Sequence, residues 1–240
     1  LAVAIKAIGP PRRADGAMTL GLMWKWPNFF DVFSEILPAL RITLEITILG
    51  CAVALGSGWI WVFLRRIPFA PLRGLVWLVL EFVRDTPPLV HVLVGFYVLP
   101  HYGVMLSPVT ISILVLGIHY SAYISEIYRG SIAALPVGQF EAARVLQFSV
   151  LRSWISVIIP QVYRESLPAL GNVILSLLKE TALLIAIGVP VLMTVAQRAG
   201  ERSFRYAEPL TVAALLYCLV TIPFGRLLRW VEARDIQRSR

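Results

Sequence analysis

The chain contains little charge. Only 15% of its 240 residues are Asp, Glu, Lys or Arg, whereas 58% are hydrophobic. Soluble domains usually carry roughly 25% charged residues, because most of their surface faces water. The mean hydropathy is +0.76, and the apolar residues are gathered in long runs. These properties argue against a soluble globular protein and indicate a membrane protein.

Motifs for metal binding and catalysis are also lacking. The two cysteines, Cys51 and Cys218, lie inside apolar runs, and no CxxC or HExxH pattern occurs. No two of His91, His101 and His119 have the i, i+4 spacing of two ligands on one helix. There is no Walker A loop, GxSxG motif or paired-carboxylate pattern. We therefore expect no disulfide, no metal site, no catalytic residue and no cofactor bound by this chain.

The formal net charge is +8, which in a soluble protein would suggest a nucleic-acid partner. Here the basic residues lie mostly in short segments between apolar runs. Retention on the cytoplasmic side and contact with anionic lipid explain that placement. The basic segments carry no groove-reading motif, so we expect membrane lipid and no nucleic acid as partners.

Five apolar runs are long enough to cross a bilayer, which takes about 20 residues. They cover residues 38–64, 72–98, 108–128, 166–189 and 208–229. The sequence therefore predicts an all-α membrane protein with about five transmembrane helices. Its membrane domain is expected at 35–230, followed by a cytoplasmic tail at 231–240.

Residues 1–34 are expected to form a poorly structured tail that ends in an interfacial segment around Trp24, Trp26, Phe29 and Phe30. Such aromatic residues favour the headgroup level of a bilayer.

The distribution of arginine predicts the orientation in the membrane. Segments 65–73 and 129–165 and the tail after 225 are rich in arginine, whereas 99–107 contains no Lys or Arg. The positive-inside rule then places the N-terminus outside and the C-terminus in the cytoplasm. The segment 190–207, which carries Arg198, Arg202 and Arg205, argues against this orientation but is outweighed.

Polar residues recur at helical spacing within three of the apolar runs. In a bilayer such residues usually face a cavity or one another, so each set predicts a polar helix face. The third run contains Ser112, His119, Tyr123 and Glu126. The fourth run contains Asn172, Ser176, Lys179 and Glu180.

In the second run, Glu81, Arg84 and Asp85 precede Thr86-Pro87-Pro88. Proline removes a backbone donor and kinks a helix, so freed carbonyl groups there need polar partners. Two interpretations of the charges remain open. Glu81–Arg84 and Arg41–Glu45 have the spacing of ion pairs within a helix, whereas the polar faces of the third and fourth runs favour a solute pathway.

The polar interval 129–165 carries a recognisable motif. It reads Glu141-Ala142-Ala143, then Gln147, then Val157-Ile158-Ile159-Pro160. This resembles the EAA loop of ABC importer permeases, in which EAA is followed at fixed spacing by Gly and by Ile-x-Leu-Pro. The spacing from Glu141 to Pro160 fits without a gap, although Gln147 stands where the pattern has a turn-forming glycine. We call residues 136–160 the EAA loop.

Further stretches are similar to the polar amino acid permeases of the histidine/glutamine type. They are 81–90, 121–130, Gly138-Gln139, Pro160-Gln161 and 178–181. Within that family, 169–172 and 204–209 look most like permeases of ectoine and hydroxyectoine, which are compatible solutes. The resemblance covers about residues 35–230.

The resemblance implies a type I importer in the bacterial cytoplasmic membrane. The chain would pair with a second permease subunit, identical or not, and receive solute from an extracytoplasmic binding protein. A dimer of ATP-binding subunits, which uses ATP and Mg²⁺, would dock through Glu141, Ala142, Ala143, Gln147 and Pro160.

A zwitterionic solute needs both an anionic and a cationic partner. Arg84 or Lys179 is expected to face its carboxylate. Asp85, Glu126 or Glu180 is expected to face its cation, beside Tyr123. With His119, Asn172 and Ser176, these residues form the predicted substrate pathway.

Two other classes of protein compete with this interpretation. An ion-coupled secondary transporter usually contains internal repeats with broken helices, and no such repeat is evident. A membrane-embedded enzyme would need clustered His, Cys or paired acids, which the sequence lacks.

Overall fold

The computed structural model describes residues 25–238, and every regular element in this range is helical. The expectations for residues 1–24 and for the last two residues lie outside this range. The α-helices are α1 (Trp26–Ile36), α2 (Ala39–Leu64), α3 (Ala70–Asp85), α4 (Pro88–Tyr97), α5 (Pro108–Ala134), α6 (Val137–Val145), α7 (Val150–Ser153), α8 (Ile159–Glu180), α9 (Leu192–Ser203) and α10 (Ala207–Arg238). Leu99–Tyr102 and Thr181–Ile187 form 3-10 helices, and Trp154–Ile158 forms a π-helix.

Four helical segments in the described range are long and apolar enough to span a membrane. They are Ala39–Leu64, Pro108–Ala134, Val150–Ile187 and Ala207–Val231. The expected second span, 72–98, is not one kinked helix but two shorter helices, α3 and α4. The prediction of an all-helical membrane fold is confirmed, with this one span divided.

Proline explains the division. Thr86 and Pro87 have extended ψ angles of 131° and 137°, because a residue that precedes proline disfavours the α conformation. Pro88 cannot donate to the carbonyl of Arg84, four residues earlier. The Tyr123 hydroxyl of α5 donates to that oxygen instead, at 3.0 Å. The predicted need for a polar partner is thus met by a neighbouring helix.

Helices α2 and α5 run parallel and pack closely. A Cβ atom on Gly117 would lie 2.7 Å from the Val53 side chain and 3.0 Å from the carbonyl oxygen of Gly50. Glycine is therefore required for the two backbones to approach this closely. Farther along the interface, the Trp61 indole donates to Ser121 Oγ at 2.8 Å. The close packing of α5 against α2 therefore fixes the orientation of the polar face of α5.

Two segments are more helical than the sequence indicates. The fourth span begins at Val150 rather than near 166, because α7, the π-helix and α8 follow one another without a break. The segment expected as an outer loop, 190–207, contains α9. This helix buries Leu192, Ala196 and Ala199 on one side, but it is too short and polar to resemble a span.

The segment around Trp26, Phe29 and Phe30 is helix α1. Phe29 and Phe33 pack against the core that α9 and α10 share, whereas Trp26 and Phe30 are exposed. The interfacial position of this segment stays a prediction.

Candidate functional site: a polar cavity and the EAA loop

A cavity of about 470 Å³ lies between the α3–α4 break, α5 and α8. The break contributes 84–88, α5 contributes His119, Tyr120 and Tyr123, and α8 contributes Asn172, Val173, Ser176 and Glu180. Each group comes from a separate apolar run. The divided second span is therefore what opens the space, and the polar faces of α5 and α8 line it.

The structure brings together all of the predicted pathway residues except Glu126 and Lys179. Those that line the cavity are Arg84, Asp85, His119, Tyr123, Asn172, Ser176 and Glu180. Tyr120 also lines it and lies against the Glu180 carboxylate. Sequence reasoning missed Tyr120 because it is adjacent to His119 and does not fall on the stripe. Ser112, at the far end of that stripe, bonds its own helix at Pro108 O.

Lys179 lies outside the polar cavity. At about 100° per residue, Lys179 and Glu180 stand at opposite edges of the polar face that contains Asn172 and Ser176, so the two side chains diverge. Lys179 borders a second, mostly apolar cavity with Met193 of α9 and Leu210 and Tyr217 of α10. Lys179 therefore does not line the polar cavity with Asn172, Ser176 and Glu180.

Glu126 belongs to a cluster of ion pairs beside the cavity. Its carboxylate pairs with Arg65 and lies 2.8 Å from Arg129 and 3.4 Å from Arg84. These partners come from the end of α2, from α5 and from α3. One carboxylate therefore joins three helices, and its oxygens are directed to arginines rather than to the cavity.

The two predicted helical ion pairs differ in outcome. Glu81 pairs with Arg84 on α3. Among the ion pairs of the described residues, none joins Arg41 and Glu45, which border a groove on the outside of α2. Arg84 thus lines the cavity and also forms ion pairs with both Glu81 and Glu126.

Two histidines that are distant in sequence meet beside the cavity. His91 of α4 and His119 of α5 have their Nδ1 atoms 3.3 Å apart. A search for i, i+4 spacing cannot find such a pair, because its members belong to different helices. Within the described residues, no group of three His, Cys, Asp or Glu side chains has the arrangement of a metal site.

The EAA loop begins with the short helix α6. Glu141 and Ala142 are exposed, whereas Ala143 is buried against the rest of the protein. Val145, Leu146, Val150 and Leu151 are also exposed, each by more than 60%. The loop therefore presents one carboxylate and an apolar patch outside the bundle, next to a small residue that permits close packing.

The turn after α6 has the geometry that normally selects glycine. Gln147 has φ of 53°, in the left-handed region. Its N–H donates to Arg144 O at 2.9 Å, and the N–H of Phe148 donates to Ala143 O at 3.1 Å. These two bonds define a Schellman motif, whose usual residue at this position is glycine. The turn expected from the EAA pattern therefore forms, with glutamine in the strained position.

A pair of glutamines ties α6 to α8. The side-chain amide of Gln161 donates to Gln139 Oε1 at 3.1 Å and to Val157 O at 2.8 Å. Pro160 precedes Gln161 and cannot donate, and the turn before it widens into the π-helix. Pro160 therefore marks a point where the helix geometry changes between the EAA loop and the cavity.

The EAA loop also contacts the end of α2. The rings of Phe63 and Trp154 lie 5.3 Å apart, and the Arg66 guanidinium lies 4.5 Å above the Trp154 ring. The other end of α2 adjoins α1, where Glu35 pairs with Arg202 of α9. Because α2 has 26 residues, its ends are about 39 Å apart. The EAA loop and the end of α9 therefore lie on opposite faces of the bundle.

Comparisons with known proteins agree with this architecture. The family described as "Binding-protein-dependent transport system inner membrane component" matches residues 46–236. The probable amino-acid ABC transporter permease protein y4tG of Sinorhizobium fredii (strain NBRC 101917 / NGR234) is 35% identical over 230 residues, which cover 92% of this chain and 98% of that protein.

Two further proteins are similar over most of their length. The L-cystine transport system permease protein TcyB of Bacillus subtilis (strain 168) is 30% identical over 220 residues, covering 91% of this chain and 94% of that protein. A crystal structure of an amino acid ABC transporter with histidines superposes with a TM-score of 0.79 at 31% identity, covering 88% of this chain and 99% of that chain.

Proposed function

This chain belongs to the family of binding-protein-dependent transport system inner membrane components, and from that membership we propose that its polar cavity is half of a path for an amino-acid-like solute. The chain is the membrane permease subunit of an ABC importer, which decides against an ion-coupled transporter or a membrane enzyme. The observation that carries the proposal is the convergence of the α3–α4 break with the polar faces of α5 and α8 on one cavity.

A small zwitterion suits the cavity. The space is about 470 Å³, within the usual range for sites that bind small molecules. Its lining combines carboxylates, an arginine, amide and hydroxyl groups and two tyrosine rings. The relatives named above are amino acid and cystine permeases. Ectoine or hydroxyectoine, which the stretches at 169–172 and 204–209 favour, remains a prediction within the same zwitterionic class.

The proposed site of ATP coupling is the EAA loop. The exposed Glu141 offers a carboxylate to a basic group of the ATP-binding subunit, and Ala142 and Ala143 permit close approach. The apolar patch of Val145 and Leu146 adds surface that becomes buried on docking. Movement of α6 would be transmitted to α8 through the hydrogen bond between Gln139 and Gln161. Gln147 shapes the turn after α6, and Pro160 lies where the π-helix meets α8.

The proposed orientation follows from this assignment. The ATP-binding subunits, which hold the nucleotide and Mg²⁺, act in the cytoplasm, so the EAA loop and the end of α2 face inward. The start of α2 and the end of α9 then face outward, where the solute-binding protein delivers its cargo. The N-terminus is outside and the C-terminus is cytoplasmic. The open side of the polar cavity is closed by a second permease subunit.

Glu141→Arg tests the coupling proposal. Reversing this exposed charge should reduce solute uptake by the reconstituted importer at least tenfold, because about 1.4 kcal/mol of lost docking energy has that effect. Copurification of the ATP-binding subunit should fall in parallel, while helical content stays unchanged. Glu165→Arg, at an exposed position of α8 outside the EAA loop, is the matched control. Normal assembly and tight coupling of uptake to ATP hydrolysis in Glu141→Arg would reject the proposed docking site.

A further inference from the structure

The cluster of ion pairs around Glu126 contains more positive than negative charge. Three arginines share only two carboxylates within it, and we call these five residues the Glu126 cluster: Arg65, Arg84, Arg129, Glu81 and Glu126. Asp85, the next acid along α3, lines the polar cavity and forms no ion pair with any residue that the structure describes. The cluster therefore keeps one positive charge that its own carboxylates do not balance.

Arg129 is the member of the cluster that an external anion can reach. Its side chain is 62% exposed, whereas those of Arg65 and Arg84 are 16% and 20% exposed. Arg129 Nε donates to Glu126 Oε2 at 2.8 Å, and its two terminal nitrogens have no hydrogen-bond or ion-pair partner among residues 25–238. An anion can therefore bind the terminal nitrogens while Glu126 stays in place.

The cluster lies near the ends of two helices that adjoin the EAA loop. Arg65 directly follows α2, and Arg129 is five residues, or about 8 Å, before the end of α5. The EAA loop follows α5 and contacts the end of α2 through Trp154. In the proposed orientation this is the cytoplasmic side, where anionic lipids give the membrane surface a negative potential.

An exposed apolar strip on α3 adjoins the cluster. It consists of Trp77, Leu78 and Phe82, which are 55%, 58% and 62% exposed. Trp77 and Leu78 lie four and three residues before Glu81, which makes them its neighbours on the helix surface. Trp77 is seven residues, or about 10 Å, from the start of α3, close to the distance of Arg129 from the end of α5. Tryptophan favours the headgroup level of a bilayer, so a headgroup at this level can reach Arg129 while its chains pass Leu78 and Phe82.

We propose that the Glu126 cluster binds the phosphate of an anionic phospholipid in the cytoplasmic leaflet, with Arg129 as the main contact. The planar guanidinium can donate two parallel hydrogen bonds to phosphate oxygens. An anionic headgroup balances the surplus charge of the cluster, whereas a zwitterionic headgroup brings a cation of its own. The bound lipid stabilises the junction of α2, α3 and α5, which are joined at Glu126. The choice of leaflet rests on the proposed function, whereas the identity of the solute plays no part.

Lipid retention by the purified importer tests the site. The importer, with its ATP-binding subunits, is reconstituted into nanodiscs of phosphatidylglycerol and phosphatidylcholine, and native mass spectrometry counts the lipids that stay bound. We expect the wild type to retain one more phosphatidylglycerol per copy of this chain than Arg129→Gln, whose apparent affinity for that lipid should fall about fivefold. Arg226→Gln, which removes an exposed arginine of α10 outside the cluster, is the matched control and should resemble the wild type.

Fluorescence quenching locates the lipid without altering the cluster. Phosphatidylglycerol with brominated chains should quench the wild-type importer more than brominated phosphatidylcholine does. Trp77→Phe replaces one of the seven tryptophans of this chain and should remove most of this difference, because Trp77 borders the proposed position of the lipid. An unchanged difference in Trp77→Phe would place the lipid elsewhere and overturn the proposed site.

Inorganic phosphate distinguishes a lipid from a soluble anion. In nanodiscs of phosphatidylcholine alone, millimolar phosphate should leave the thermal unfolding midpoint unchanged, whereas added phosphatidylglycerol should raise it. Equal stabilisation by phosphate would assign the cluster to a soluble anion, and equal lipid retention by the wild type and Arg129→Gln would leave it without a ligand. Either result overturns the proposal, while ATP-driven amino acid uptake by the wild type would still uphold the proposed function.

Discussion

The polar cavity and the EAA loop are assembled in opposite ways. The cavity takes its lining from three stretches separated by dozens of residues, at 84–88, 119–123 and 172–180. The EAA loop is continuous in sequence, and its turn at Gln147 is stabilised by residues three to five positions away. The cavity therefore depends on how helices pack, whereas the loop depends mainly on its own backbone.

The two regions are therefore stabilised by different kinds of interaction. The cavity region is held by ion pairs between helices, with Glu126 at their centre. The loop is held by short-range hydrogen bonds and one left-handed residue. A change in the first region should affect global stability, and a change in the second should affect coupling or local order.

Glu126→Gln should have the largest effect. It leaves Arg65, Arg84 and Arg129 without their shared carboxylate, and the side chains of Arg65 and Arg84 are only 16% and 20% exposed. We expect the free energy of unfolding to fall by about 2 kcal/mol, measured by denaturant titration of the importer in mixed micelles. Glu81→Gln is the control, because Glu81 pairs with Arg84 alone and is 37% exposed. A loss of about 1 kcal/mol or less is expected there, and equal losses would contradict a central role for Glu126.

Gln161→Leu should act on coupling rather than on stability. The change removes the amide that donates to Gln139 Oε1 on α6 and to Val157 O in the π-helix before α8. One hydrogen bond contributes about 1 kcal/mol, so solute transported per ATP hydrolysed should fall about fivefold in proteoliposomes. Gln139→Leu should lower the same ratio and leave the bond to Val157 intact. If Gln139 and Gln161 act together, the ratio in the double variant should be no lower than in Gln161→Leu. Additive losses in the double variant would show that the two residues act independently.

Gln147→Gly should have the smallest effect, and a favourable one. A left-handed conformation costs a residue with a Cβ atom roughly 1–2 kcal/mol, partly offset by the greater freedom of glycine in the unfolded chain. A gain of about 0.5 kcal/mol is expected, together with slower hydrogen exchange at the amides of α6. Gln147→Ala keeps the Cβ atom and should not gain in this way. Equal protection of α6 in both variants would mean that the turn is not strained.

The sequence was informative wherever the signal was local. The EAA loop and the proline site in the second span were both predicted from neighbouring residues. The polar faces of α5 and α8 were predicted from helical spacing, although Lys179, at the edge of the face on α8, does not line the polar cavity. The exact start of the fourth span was missed, because the segment 150–165 contains enough polar residues to mask a continuous helix.

Other features depended on contacts between helices. His91 and His119 lie 28 residues apart, and no periodicity connects them. Glu126 lies on the predicted stripe of α5, yet its carboxylate is directed to Arg65, whose position is set by the end of α2. Helix α9 was missed because its apolar face is narrow and is buried against other helices, among them α1, α2 and α10.

The sequence by itself determined that this protein crosses a membrane, that proline disturbs its second span at Thr86-Pro87-Pro88, and that it carries an EAA loop. Each of these follows from hydrophobicity, backbone geometry or a motif read along the chain. Only the tertiary structure decided which charges face the cavity. The direction of a side chain depends on the rotation of its helix and on the partners that the packing provides, so Arg84 and Glu126 bind each other while Asp85 and Glu180 face the proposed path.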